Sequence, residues 1–161
     1  MVYGIQVWGH APSMNKILVS QKRAIRTIFC KPYRYHTEPL FKANSILNVH
    51  DLYRLQVALF VHDLRSAKLP NSFKTFFKIS NSDNVNTRHR NIIYKVAVCP
   101  RTKFSSLLPG HMFTSIWNNL DKNIIIIKSR SSFKKALMKN MLQKYSEYIR
   151  CSNKSCKYCY M

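Results

Sequence analysis

Acidic residues are scarce in this chain of 161 residues: six Asp and Glu stand against 27 Lys and Arg, a formal net charge of +21. Glu38, Asp51, Asp63, Asp83, Asp121 and Glu147 are all separated from one another. No two form the adjacent carboxylates that hold a pair of metal ions about 4 Å apart, so no local motif for two-metal chemistry is present. Glycine is rarer still, and three of them cannot build a Gly-rich phosphate cradle. No order of Ser, His and Asp suggests a hydrolytic triad beyond chance.

Long apolar runs are absent as well. The longest, at 57–61 and 124–127, fall far short of the roughly 20 residues that a membrane-spanning helix needs. No basic segment leads into an apolar one at the N-terminus, so no secretory signal is read and an intracellular protein, of cytoplasm and nucleus, is expected. Five cysteines, an odd count in a basic intracellular chain, argue for thiols or a partial metal site rather than a disulfide framework. No internal repeat is evident.

What is present is enough for a core. Hydrophobic residues make up 46% of the chain, well above a disordered composition, and its length suits one ordinary domain. Divided at residues 60 and 120, the chain carries 8, 9 and 10 Lys and Arg with two acids in each part. The basic excess therefore belongs to the whole surface. A polyanion is the natural partner of such a field, and nucleic acid heads the list, because each neutralised phosphate releases condensed counterions. An anionic membrane is the rival, but no basic block or strongly amphipathic basic helix beside an anchor is clear, so no membrane partner is expected.

The pattern predicts a mainly α fold, a helical bundle with a small β-hairpin in its second half. A first full helix is expected over 15–29, with Ile17, Leu18, Ala24, Ile25 and Ile28 on one face and Lys22, Arg23 and Arg26 on the other. Gln21 falls on the apolar face, where an unpaired amide would cost about 1–3 kcal/mol, so it is expected to bond a neighbour. A connector at 31–36, rich in Tyr and Arg and broken by Pro32, leads to Thr37 as N-cap of a short helix reaching 45. Residues 49–66 are apolar on almost every side and read as the central buried helix.

Pro70 ends that unit, and 71–79 reads as a further short helical piece before the polar, turn-prone stretch 80–91. A strand at 92–98 is expected to pair with 104–108, with Pro109 and Gly110 closing the hairpin and a turn of helix carrying Trp117 after it. The last helix is expected from Ser131 or Ser132 to about 149, with Phe133, Ala136, Leu137, Met141 and Tyr148 inward and Lys135 and Lys139 outward. The expected divisions are 1–79, 80–150 and a Cys-rich tail at 151–161.

Two basic groups are candidates for contact with phosphate. Lys22, Arg23 and Arg26 are either a solvated helix face or a phosphate-binding one. Arg88, Arg90, Arg101 and Lys103 form the second, with His89 among them and Tyr94 and Phe104 near enough in sequence to stack on bases. Trp8 and Trp117 are read as core before stacking platforms, and His50 and His62 as satisfied polar groups beside a buried helix. Cys151, Cys156 and Cys159 have half of a zinc-ribbon spacing, yet a closed zinc site needs four ligands. Cys30 or Cys99 would complete it only by folding back; otherwise these are free thiols. A plant-type iron-sulfur run would need a later fourth Cys, which is lacking.

Tyr3-Gly4 and Trp8-Gly9, followed by Leu18 and the run Gln21-Lys22-Arg23-Ala24-Ile25-Arg26, resemble the region just after the polymerase core of jockey-like, LINE-type non-LTR retrotransposon reverse transcriptases. Thr87-Arg88, then Val98 to Thr102, Gly110, Trp117-Asn118-Asn119-Leu120 and Ser132-Phe133-Lys134 follow in that family's order and approximate spacing. Asp121 stands where the family has proline, and the residues ahead of Arg101 are shortened. The resemblance implies a C-terminal fragment of an RNA-directed DNA polymerase, downstream of fingers and palm, that binds RNA template and DNA target or primer beside the upstream polymerase domain of the same chain. The magnesium ions would belong to that palm; this segment carries no catalytic carboxylate pair and no cofactor of its own beyond the zinc candidate. Met1 is then expected to be internal to a longer frame. A free-standing basic RNA- or DNA-binding module and a non-functional truncated remnant are the rival readings.

Overall fold

The computed structural model describes residues 3–76, 78–79, 94–95, 102 and 107–145. They are mainly helical. The α-helices are α1 (Ile5–Trp8), α2 (Met14–Ile28), α3 (Glu38–Ala43), α4 (Val49–Arg65), α5 (Pro109–Asn118), α6 (Lys122–Ile125) and α7 (Arg130–Gln143), with a 3-10 helix at Asn71–Phe76. Of the expected pairing of 92–98 with 104–108, only 94–95 and 107–108 are described residues, and no pairing between these is seen. Instead a two-residue strand β1 (Lys78–Ile79) pairs antiparallel with β2 (Tyr94–Lys95), Ile79 opposite Tyr94. Lys78–Ile79 is thus the end of a strand pair, where a helical piece is expected from sequence.

Pro109 does not close a hairpin: it starts α5, where its missing N–H and fixed φ suit the first helical turn. The single turn expected around Trp117 is accordingly a helix of 10 residues. α7 begins at Arg130, so Ser131 and Ser132 lie inside it, and Ser129 precedes it with its carbonyl accepting the Phe133 N–H. Tyr148 lies outside the described residues.

The chain divides into two compact units: Met1–Leu55 with Lys134–Met161, and Gln56–Phe133. In the first, α2 buries Met14, Gln21 and Ile25, with Ile17, Leu18 and Phe29 half-buried. Ala24 and Ile28 are exposed, contrary to the helical-wheel expectation. The reason lies in α3: Leu40 and Phe41 pack on Ile25, with Phe29 and Tyr35 against the same cluster. Phe29 and Ile28 point about 100° apart on a helix, so covering the Phe29 side leaves Ile28 in solvent. Gly9 has its own reason to lack a side chain. A Cβ there would run into the Tyr53 ring.

Gln21 has the partners its position demands. Its amide nitrogen donates to the Leu47 carbonyl at 2.9 Å, and its amide oxygen accepts the Val49 N–H at 2.9 Å. One side chain thereby satisfies a loop carbonyl and an N–H at the start of α4 that no turn of helix can reach. Asn48 completes the end: its side-chain oxygen accepts the Asp51 N–H at 2.9 Å, an N-cap reaching the third residue of the helix.

Thr37 precedes α3 as expected, with Glu38 and Pro39 in the first turn; the residue is buried, but its hydroxyl makes no capping bond. α2, α3 and α4 share one kind of ending. Cys30, Ser45 and Ala67 each take a left-handed conformation, with φ of 48, 52 and 53°. After α2, Lys31 N–H reaches Arg26 O and Cys30 N–H reaches Thr27 O; Ile46 and Ser45 repeat this after α3, and Lys68 and Ala67 after α4. These are Schellman endings built without glycine.

In the second unit the core is aromatic and aliphatic together. Val57, Ala58, Leu59, Val61 and Leu64 of α4 are buried. Phe60 meets Phe73 and Phe113 edge-on, each with centroids 5.5 Å apart. Trp117 stacks on Phe133 at 5.9 Å, and the His62 ring tilts against Phe133 at 4.6 Å. Trp117, 1% exposed, is therefore core rather than a stacking platform. The polar edge of α4 holds the isoleucine run by its backbone: His62 Nε2 bonds Ile127 O at 3.0 Å and Arg65 donates to Ile125 O at 3.0 Å. The Arg130 Nε donates to both oxygens of Asp63, at 2.9 and 3.1 Å. No described helix is long and apolar enough to cross a membrane.

Candidate nucleic-acid interface

Of the candidate basic residues, those that are described lie on α2, within the first unit, and the connector behind it adds more. Arg23 is exposed and Lys22 half-buried, and neither meets an acid or a hydrogen-bond partner through its side chain among the described residues. Arg26 behaves differently. Its Nε donates to the Tyr35 carbonyl at 2.7 Å, which ties the connector back to α2 and leaves the terminal nitrogens of the guanidinium as further donors. The sequence groups these three cations alike; in the fold Lys22 and Arg23 are unengaged and Arg26 does structural service as well.

The connector adds residues that the two sequence-derived groups do not include. Lys31 lies over the Tyr35 ring at 5.4 Å from its centroid, a cation–π contact. Tyr35 N–H returns to Pro32 O at 2.9 Å, so the connector contains a closed turn. Between them Tyr33 is 69% exposed and Arg34 is exposed. No hydrogen bond, ion pair or ring contact joins the side chain of either to another described residue. The signal for this patch was in the sequence, as the alternation of Lys31, Tyr33, Arg34 and Tyr35 around a proline.

The described acids of the first unit do little to offset this charge. Asp51 is engaged by the Tyr145 hydroxyl at 2.6 Å, by the Asn48 amide at 2.9 Å and by Arg54 at 3.2 Å. Glu38 is exposed at the start of α3. No described acid forms an ion pair with α2 or with the connector, so Lys22, Arg23, Lys31 and Arg34 present uncompensated charge to any anion.

Arg88, Arg90, Arg101 and Lys103 lie outside the described residues, as do Cys151, Cys156 and Cys159. Among the described residues no group of three His, Cys, Asp or Glu is placed to hold a metal ion. Cys30 is exposed at the end of α2. His50 bonds Asn15 Oδ1 at 3.1 Å, in keeping with a satisfied polar role. His62 is hydrogen-bonded through Nε2, while its Nδ1 is buried without a hydrogen-bond partner, 3.9 Å from Asp63 Oδ1.

The arrangement can bind anions by charge and by donor geometry. Comparison of the chain with family models, with curated proteins and with solved structures found no match.

Proposed function

We propose that this chain is a nucleic-acid-binding segment of a non-LTR retrotransposon reverse transcriptase, corresponding to the region after the palm of an RNA-directed DNA polymerase. The ordered motifs from Tyr3-Gly4 to Ser132-Phe133-Lys134 support the family assignment. The charge of the α2 surface supports the role. Its partners would be the RNA template and the DNA target or primer, with nucleotide addition and its magnesium ions supplied by the palm upstream; the cysteines at 151, 156 and 159 would be the place for any zinc.

The observation that carries the binding role is the uncompensated set of Lys22, Arg23, Lys31 and Arg34 on one helix and its following turn. Such a set binds phosphate without reading sequence. Affinity for a DNA duplex should therefore fall with salt, with a log–log slope of about 0.9 per phosphate neutralised. Lys22→Ala with Arg23→Ala should weaken binding to unrelated duplexes equally and lower that slope by nearly 2 if each cation meets one phosphate. Wild-type affinity and slope in this double variant would take α2 out of the interface.

A free-standing binding module is the second reading, favoured by the closed hydrogen-bond set around the start of α4, which ties residues 21, 47–49, 51 and 145 together within this chain alone.

A further inference from the structure

Resting on the nucleic-acid reading, we infer that the turn following α2 is a single-strand site, in which Tyr33 stacks on an unpaired base while Lys31 and Arg34 take the flanking phosphates. Exposed tyrosine alone would not carry this. The turn that presents it is fixed at both ends. The Schellman bonds at Cys30 and Lys31 set its entry, the Tyr35 N–H to Pro32 O bond closes it, and Arg26 Nε holds the Tyr35 carbonyl at 2.7 Å. Pro32 removes further freedom from the backbone. Lys31 already lies over Tyr35, whereas the Tyr33 ring, 69% exposed, meets no ring or cation among the described residues.

An aromatic ring presented to water by a closed turn is open to a stacking ligand, and the charge beside it selects an anionic one. An unstacked base offers a π-face to the ring and a phosphate on either side to the cations, the arrangement used for single strands without sequence preference. A duplex keeps its bases stacked on each other and offers Tyr33 none. A protein partner of acidic and aromatic character is the competing occupant.

The test is binding of the full chain to labelled 12-mers of deoxythymidine and uridine and to a 12-base-pair duplex, followed by fluorescence anisotropy at several salt concentrations. Tyr33→Ala should weaken the single strands by about 5- to 150-fold, the range for one lost stacked base, while leaving the duplex affinity and the salt slope unchanged. Tyr33→Phe should stay within about twofold of wild type, since the π-face and not the hydroxyl is used. Arg34→Ala should lower the single-strand slope by about 0.7, one phosphate. An unchanged thermal midpoint in each variant confirms that the fold is intact, as expected for exposed side chains.

Single strands bound as well by Tyr33→Ala as by wild type, with Lys22→Ala/Arg23→Ala still weakened, would overturn the stacking site and leave the electrostatic reading standing. Equal losses on single strands and duplex in Tyr33→Ala would also overturn it. Absence of binding to any of the three nucleic acids at low salt would remove both readings and leave the patch to a protein partner.

Discussion

Tyr145 shows how much one side chain can hold together. Its hydroxyl donates to Asp51 at 2.6 Å and accepts the Asn48 N–H at 3.0 Å, while its ring meets Phe41 edge-on. Burial, and then the hydrogen bond to the Asp51 carboxylate, push its ionisation well above the ordinary tyrosine value of 10.0. The protonated form is thus favoured more in the folded than in the unfolded chain, so its contribution is fully present below pH 10 and is lost as pH rises beyond it. Burial pushes Tyr53 in the same direction. Tyr145→Phe removes a bond to a charged acceptor and leaves the Asn48 N–H short of a partner; a loss of about 1.5–3 kcal/mol is expected in urea denaturation at pH 7. The variant should also lose part of the stability decline seen above pH 10. A loss under about 0.5 kcal/mol at pH 7 would show that the hydroxyl is not engaged. Neither this contact nor the partners of Gln21 could be read from sequence, since they lie 94 and 26–28 residues away. What sequence does reveal is the need: an amide on an apolar helix face must be bonded by something.

At the scale of elements, the spans of α2, α3 and α4 were legible to within one or two residues, from periodicity in α2 and α4 and from Thr37, Glu38 and Pro39 in α3, whereas the conformation that ends each helix was not, because the usual glycine marker is missing. Cys30, Ser45 and Ala67 occupy the left-handed position in its place. For an L-residue this conformation costs about 1–2 kcal/mol, which glycine avoids. Ala67→Gly should therefore stabilise the chain by about 1 kcal/mol, less whatever the more flexible unfolded chain takes back. Thermal denaturation of Ala67→Gly beside Ala67→Val, which should destabilise, is the check; a lower midpoint for the glycine variant would mean that the helix ending is not held as described. The misread Pro109-Gly110 pair teaches the complementary lesson. A proline followed by glycine suits a hairpin turn and the first turn of a helix equally, and only the apolar spacing of Phe113 and Trp117 behind it decides for the helix. Similarly, 71–79 carries enough phenylalanine for either a helix or a strand, and the chain uses it for both, a 3-10 helix and then β1.

For the molecule as a whole, the excess of positive charge acts on folding and on binding with opposite signs. With a formal net charge of +21, and with Asp51 and Asp63 already engaged by Arg54 and Arg130, the cations repel one another more than they are paired. Self-repulsion of this kind destabilises the compact state and is screened by salt, whose Debye length falls from about 10 Å at 0.1 M to about 3 Å at 1 M. The free chain should accordingly unfold at a higher temperature in 1 M than in 0.1 M sodium chloride. A gain of about 1–2 kcal/mol would move the midpoint by about 2–8 °C for a chain of this size. The affinity for nucleic acid should fall over the same range, because the counterions released on binding then re-enter a concentrated solution. Lys135→Gln with Lys139→Gln, two exposed positions on α7, gives the control. Removing their charge should raise the midpoint at 0.1 M and shrink the rise between the two salt concentrations. A rise of the same size in this variant would assign the salt effect to general exclusion of ions from the surface, and a midpoint that falls with salt would mean that ion pairs outweigh repulsion in holding the chain together.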